Sequence, residues 1–153
     1  MKRILVALGL FLMTGCQSAP PAGPAPPAPA PSPTAVADKD GYFPTKNGVR
    51  YIILREAPGI QATEGKNLKV NYVGTLENGQ TFDSTYDRKQ TFDFTLGNHQ
   101  VIQGWEEGML GMRVGEKRKL IIPPNLAYGA SGYPPSIPPN ARLTFIVELM
   151  EVY

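Results

Sequence analysis

Side chains that ordinarily carry chemistry are few in this chain, and their spacing defeats the usual reactions. His99 is the one histidine and Cys16 the one cysteine. Cys16 falls in an apolar leader, so no Ser-His-Asp or Cys-His arrangement can be assembled. No histidine and cysteine cluster has the spacing of a metal site, and no glycine-rich strand-to-helix turn offers a phosphate cradle; neither a cofactor nor a metal is expected. Glu106 and Glu107 are paired carboxylates, but neighbours on a helix point apart, so they are expected on an exposed helix face. What is plentiful is aromatic surface. Tyr72, Phe82, Phe92, Phe94, Trp105, Tyr128, Tyr133 and Phe145 fall on expected inward faces, on an expected helix or in a long loop, and one carboxylate, Asp83, directly follows Phe82. Such a set can line an apolar pocket with a few placed polar groups, the usual form of a small-molecule or peptide site. The plainer alternative makes the aromatics core and Asp83 a turn residue.

Positioning those rings requires a helix and a sheet. Val101, Trp105 and Met109 recur every four residues with Ile102 beside them, while Gln103, Glu106 and Glu107 take the other side; this predicts a short amphipathic helix. Gly104 and Gly108 each cost roughly 1 kcal/mol relative to Ala there, so the helix needs a surface to press Trp105 against. The other apolar segments read as strands: Val49–Arg55, then Leu68–Leu76 with Leu68, Val70, Tyr72 and Leu76 facing one way. Glu77-Asn78-Gly79-Gln80 predicts a two-residue type I′ hairpin. A returning strand from Thr81 is interrupted by a charged loop, Ser84 to Gln90, and resumes to Leu96, as a large bulge would. Lys117–Ile122 and Leu143–Met150 complete the set. Lys117-Arg118-Lys119 is the one basic cluster and is expected on solvated surface. Between the last two strands, Asn125 to Asn140 has no periodicity and reads as a long ordered loop, a common place for function. The expected fold class is α+β: an antiparallel, twisted sheet of about five strands wrapped around one short helix.

The rest of the chain is not domain. Met1-Lys2-Arg3 precedes an apolar run, Ile4 to Met13, too short to span a bilayer; residues 1–15 read as a secretory signal. Removing Lys2 and Arg3 from the fifteen basic residues leaves thirteen against thirteen acidic ones, which gives no basic patch for nucleic acid. Residues 16–40 hold eight of the sixteen prolines, all between Pro20 and Pro33, and are expected to be an extended, disordered linker, of which the mostly Pro and Ala stretch from Gln17 to Ala37 reaches up to roughly 65 Å at ~3.1 Å per residue. Residues 41–153 are expected to form one domain with one core. A lone cysteine leaves no intrachain disulfide, so the fold must stand on its packing.

Two resemblances sharpen this reading. Leu12-Met13-Thr14-Gly15-Cys16 resembles a bacterial lipobox, with Met13 where Leu, Val or Ile is preferred, which implies acylation of Cys16 and a membrane held through lipid. Gln17, rather than Asp, resembles outer-membrane lipoproteins and implies a periplasm-facing anchor in a two-membraned source, and the cell surface otherwise. Val70-Asn71-Tyr72-Val73-Gly74, Phe82-Asp83-Ser84, Val101-Ile102-Gln103-Gly104-Trp105, Ala127-Tyr128-Gly129 and Ile137-Pro138-Pro139-Asn140 resemble the FKBP-type peptidyl-prolyl cis-trans isomerases, in order and across the domain.

That resemblance implies isomerisation of Xaa-Pro bonds, with proline-containing segments of unfolded or looped proteins as partners and a macrolide of the tacrolimus type as a possible inhibitor. It implies catalytic roles for Asp83, Tyr128, Phe82 and Ile102, and substrate contacts from Tyr72, Phe92, Val101, Trp105, Ile137 and Phe145. Arg88 would support Tyr72 and Asp83. Gln100, Tyr133 and Ser136 stand where well-known members have glutamate, histidine and isoleucine, and bear on peptide preference and macrolide affinity. A lipid-anchored module that grips proline loops as a chaperone, with incidental turnover, is the alternative. A monomer is expected.

Overall fold

The structure is a computed structural model, and residues 36–153 are described. The expected signal, Cys16 and almost all of the Pro/Ala-rich stretch lie outside the described residues. In chain order the elements are β1 (Phe43–Pro44), β2 (Arg50–Arg55), β3 (Asn67–Leu76), β4 (Thr81–Ser84), α1 (Thr85–Arg88), β5 (Phe92–Thr95), α2 (Gln103–Met109), β6 (Lys117–Ile122) and β7 (Leu143–Val152). They form one antiparallel sheet in the order β1-β2-β6-β7-β3-β4, with β5 also pairing β3. The α+β class and the single packed helix stand as expected. The strand count rises from about five to seven, because β1 adds a two-residue edge and the interrupted return strand is two strands, β4 and β5, both paired to β3.

The core follows the alternation. Along β3 every second residue from Leu68 to Leu76 is buried, and along β7 Leu143, Phe145, Val147 and Leu149 are. These two strands pair over nearly their whole length, Leu76 opposite Leu143 and Tyr72 opposite Val147. Across one face lies α2, close enough that the glycines face the sheet directly. A Cβ on Gly104 would sit 2.3 Å from Ile122 Cγ2, and one on Gly108 2.9 Å from Leu120 Cδ2. The helix starts two residues later than its apolar pattern, at Gln103, with Ile102 extended at φ −60°, ψ 147° as its cap.

Three local expectations are corrected. The β3–β4 hairpin is not a two-residue type I′ turn, since Asn78 is not at positive φ while Gly79 is, at +84°. Gly79 N–H donates to Leu76 O at 2.9 Å and Leu76 N–H to Gln80 O at 2.9 Å, the three-residue loop whose left-handed glycine makes a bulge. The Ser84–Gln90 excursion is not simply loop, because Thr85–Arg88 turn once as α1. Arg118 is not on solvated surface: it is 5% exposed. Its guanidinium bonds the equally buried Glu116, donates to Gly108 O at 2.9 Å and Leu110 O at 3.3 Å, and lies over the Tyr51 ring. A cation therefore meets the carbonyl end of α2, where the helix dipole favours it.

Gly104→Ala separates propensity from packing. Propensity alone would stabilise α2 by about 1 kcal/mol, whereas the clash with Ile122 should cost about 1–3 kcal/mol. Urea unfolding should show a net loss; a midpoint equal to or above wild type would mean α2 does not press on β6 as described.

Candidate functional site

The head of α2 and the inner faces of β3, β4, β5 and β7 meet at a cavity of about 350 Å³. Its lining comes from six places in the chain: Tyr72 from β3, Phe82 and Asp83 from β4, Phe92 from β5, Gln100, Val101, Ile102 and Trp105 around the start of α2, Tyr128 from the loop after β6, and Phe145 from β7. Strand parity brings Tyr72 and Phe145 inward. Gly74, two residues on from Tyr72, leaves room between them, since a Cβ there would stand 2.6 Å from Phe82 Cζ and 2.8 Å from Phe145 Cε1.

Trp105 is the centre of the ring cluster. Its indole lies 4.9 Å from Tyr72 and 5.2 Å from Phe145 between centroids, both at 86°, with Phe92 at 6.1 Å and Phe94 at 5.8 Å. Phe82 meets Phe145 edge-on at 5.6 Å and 89°. Edge-to-face pairs of this kind add ~0.5–1.5 kcal/mol each beyond burial, and they hold each ring by its neighbours. Trp105, Phe145 and Tyr72 are buried, while Phe82, Phe92, Val101 and Ile102 are half-buried, so the outer members frame the opening. The Trp105 Nε1 is buried without an acceptor among the described residues.

The polar groups are few and held. Tyr72 donates its hydroxyl hydrogen to Asp83, Arg88 donates to the other Asp83 oxygen, and Arg88 Nη2 donates to the Tyr72 hydroxyl at 2.9 Å. The turn α1 delivers Arg88: Ser84 Oγ accepts from Asp87 N–H at 3.4 Å to open it, and Lys89 closes it in the left-handed region at φ +52°. Thr85 Oγ1, buried, accepts from Tyr72 N–H at 2.9 Å and donates to Tyr72 O at 3.2 Å. Besides the Trp105 Nε1, the Ile102 N–H and the Tyr128 hydroxyl are also without an acceptor among the described residues. Burial, with the Asp83 charge adding to it, pushes both the Tyr72 and the Tyr128 hydroxyl above the ordinary tyrosine range. Among the described residues no group of three or more His, Cys, Asp or Glu is placed to hold a metal ion.

Of the ten cavity residues expected, the structure brings nine to one wall: Tyr72, Phe82, Asp83, Phe92, Val101, Ile102, Trp105, Tyr128 and Phe145. Ile137 is not among the lining residues; it is buried, with its backbone paired to Tyr133. Arg88 lies behind Asp83, beside a second recess that Tyr72, Asp83 and Phe92 also border. Gln100 lines the cavity, and the glutamates of α2 are not idle surface. Glu106 accepts from Gly97 N–H and from His99 N–H, the latter at 3.0 Å, and Glu107 accepts from Thr45 Oγ1 at 2.9 Å. The sequence carried one unused signal, the Ser84-x-x-Asp87 spacing that opens a helical turn. It carried none for Glu106, whose partners are backbone.

Sheet order, packed helix and cavity define the FKBP-like class of α+β domains. Residues 59–150 match the FKBP_C family, described as FKBP-type peptidyl-prolyl cis-trans isomerase. The chain is 53% identical over 100 residues to an FK506-binding protein of Neisseria meningitidis serogroup B, covering 65% of this chain and 92% of that one. It is 52% identical over 89 residues to the peptidyl-prolyl cis-trans isomerase FKBP1A of Xenopus laevis, covering 58% and 82%. The crystal structure of FkpA from Escherichia coli superposes with a TM-score of 0.68 at 40% identity, over 75% of this chain and 53% of that one. The chain belongs to the FKBP-type family, and it is a peptidyl-prolyl cis-trans isomerase.

The raised Tyr72 and Tyr128 hydroxyls set a direction with pH. A folded-state value above the unfolded one, ~10, gives stability that is whole below that pH and lost as pH rises through the folded value. Ultraviolet titration of tyrosinate should show a late-ionising class that loses one member in Tyr72→Phe. Ionisation of all tyrosines together, near the free value, would contradict the described burial.

Proposed function

We propose that the Trp105 cavity is where this isomerase turns Xaa-Pro bonds, in proteins of a bacterial envelope and from a lipid anchor at Cys16. The observation that carries the site is the crossed-ring enclosure of about 350 Å³ with a single carboxylate on its wall. Rotation about a prolyl amide is opposed by C–N double-bond character, ~18–20 kcal/mol in ordinary peptides, and takes tens to hundreds of seconds unaided. No nucleophile is required. In the twisted transition state conjugation is lost, the carbonyl is less polar, and the nitrogen carries a lone pair. An apolar enclosure therefore disfavours the planar ground state, which water solvates better, and favours the twisted one.

The residues divide the work. Trp105, Tyr72, Phe82 and Phe145 grip the proline ring and exclude water, with Phe92 and Val101 closing the sides. The Ile102 N–H and the Tyr128 hydroxyl take the flanking carbonyls. Asp83, aimed by Tyr72 and Arg88, presents an oriented negative charge toward the rotating carbonyl carbon. Ile137 acts from below, by holding the Tyr133 stretch against the domain. Tacrolimus-type macrolides compete for the same enclosure, a reading supported by the FK506-binding names of the relatives. The Met13-Thr14-Gly15-Cys16 spacing supports anchoring, and Gln17 supports the periplasmic face of an outer membrane where the source has two.

Phe82→Ala and Asp83→Leu should each lower kcat/KM for an Xaa-Pro peptide at least about tenfold with native far-UV circular dichroism, since each removes roughly 1.4 kcal/mol or more of transition-state stabilisation. Wild-type rates in both would take the site away from this cavity. For the anchor, cells fed a labelled fatty acid should label the wild-type chain and not Cys16→Ser; an unlabelled wild-type chain recovered free of membrane would refute lipidation.

A further inference from the structure

Two grooves continue from the cavity along α2. The first, of about 690 Å³, is lined by polar residues of the helix and shares Val101 with the cavity. The second, of about 620 Å³, reaches past the C-terminal end of α2 and shares Glu107 and Leu110 with the first. Shared walls make them one track, from the Trp105 enclosure to the stretch between β1 and β2. At 1.5 Å rise per residue, α2 carries that track roughly 10–15 Å. An extended chain covers the same length in about four residues at ~3.3 Å each.

The two grooves differ in chemistry. Pro44, Tyr51, Ala62 and Leu110 line the far one. Leu110 follows the last residue of α2 and is 46% exposed. One exposed leucine is ordinary, but this one walls both grooves, and together with Tyr51 and Pro44 it offers cover to an apolar side chain. Nearer the cavity the track is acidic. Glu64, Glu106 and Glu107 line it, and none of them is in a salt bridge among the described residues. Glu106 is held by the Gly97 and His99 N–H groups and Glu107 by Thr45 Oγ1, which fix the carboxylates without neutralising them. Lys46, on the far groove, is the one lysine or arginine on either lining, so three carboxylates face a single cation.

We propose that this track holds the client chain beyond its proline: an extended segment with a lysine or arginine over the carboxylates and an apolar side chain in the Leu110 groove, about four or five residues from the prolyl ring. This rests on the cavity being the isomerase site. Continuity with the cavity makes the occupant the same chain that enters it, and charge complementarity selects its composition. Unfolded basic and apolar segments are therefore held better than short prolyl peptides.

Three peptides of about ten residues, sharing one central Ala-Pro bond, test this on the full chain by NMR exchange. One is otherwise alanine. The others place Lys about two and Leu about five residues from the proline, on its N-terminal or its C-terminal side. For at least one of these, KM should fall about five- to tenfold below the alanine peptide. The kcat should stay within about twofold, as expected for binding shared by ground and transition state. Leu110→Ser should remove most of that gain and leave the alanine peptide at its wild-type KM. Glu64→Lys should remove part of it, as should about 1 M salt, where charges are screened beyond ~3 Å. Equal KM for all three peptides on the wild-type chain overturns the track, in a comparison that involves no substitution. A gain that survives Leu110→Ser overturns it too, as does a concentration-dependent dimer lost in that variant, which would give the groove to a second copy. Equal KM values alongside lost activity in Phe82→Ala sink the track alone; wild-type rates in Phe82→Ala and Asp83→Leu sink the cavity reading and the track with it.

Discussion

The close approach of α2 to β6 is the constraint on which the rest depends. Gly104 and Gly108 present no side chain to Ile122 and Leu120, so the helix axis can sink until Trp105 reaches Tyr72 and Phe145 across the sheet. Two interior glycines cost about 2 kcal/mol together. Burying an indole of ~150–250 Å² returns roughly 4–6 kcal/mol as an upper bound, and Met109 is buried with it. The balance favours the close-packed helix. With bulkier residues facing β6, the helix would ride outward, and the indole could not hold the surrounding rings at their present distances.

A second constraint acts on charge. An apolar enclosure cannot hold a free carboxylate deep inside it without a large desolvation cost. Asp83 satisfies this by standing at the wall with its side chain 33% exposed, paired to Arg88 at 46%. Exposed pairs of this kind add little stability, ~0–1 kcal/mol, so their consequence lies in direction. Tyr72 and Arg88 each take a different oxygen of the carboxylate, leaving it one orientation. The Glu116–Arg118 pair is the opposite case, with side chains 5–6% exposed. There the desolvation penalty is offset by carbonyls of the α2 terminus, a backbone N–H from Arg113 at 2.9 Å and the Tyr51 ring.

Much of this was legible in the sequence because it obeys local periods. Alternation in β3 and β7 gave the inward faces, and the four-residue spacing from Val101 gave the helix and its Trp. Motifs in family order led to residues that the fold gathers from six separated segments. What was missed depends on which groups pair in the fold, which composition does not show. Lys117-Arg118-Lys119 looks uniformly solvated as a charge cluster, yet Arg118 shares parity with Leu120 and Ile122, which places it inside. Parity was the usable clue, and charge concealed it. Asn78-Gly79 has the composition of a two-residue turn, and the Leu76–Gln80 pairing chose the bulged loop. Ile137 opens a family motif and is buried, with its backbone paired to Tyr133, a bridge that the irregular sequence around it does not announce.

The same bonds bear on the proposed reaction, in which the moving part is the substrate. Ahead of α2, Glu106 holds the Gly97–His99 turn; behind it, Arg118 holds the Gly108 and Leu110 carbonyls. At its middle the indole is set by crossed rings. A helix held at both ends and at its centre makes Trp105 a fixed floor, so that with a proline seated there, as proposed, nothing near it need reorganise as the amide turns. Donors at fixed positions and an apolar surround already in place cost no rearrangement at the transition state. A protein that had to close over each proline would face that cost at every turnover. In the proposed site it is met once, on folding, by the glycines, the ring cluster and the two ion pairs.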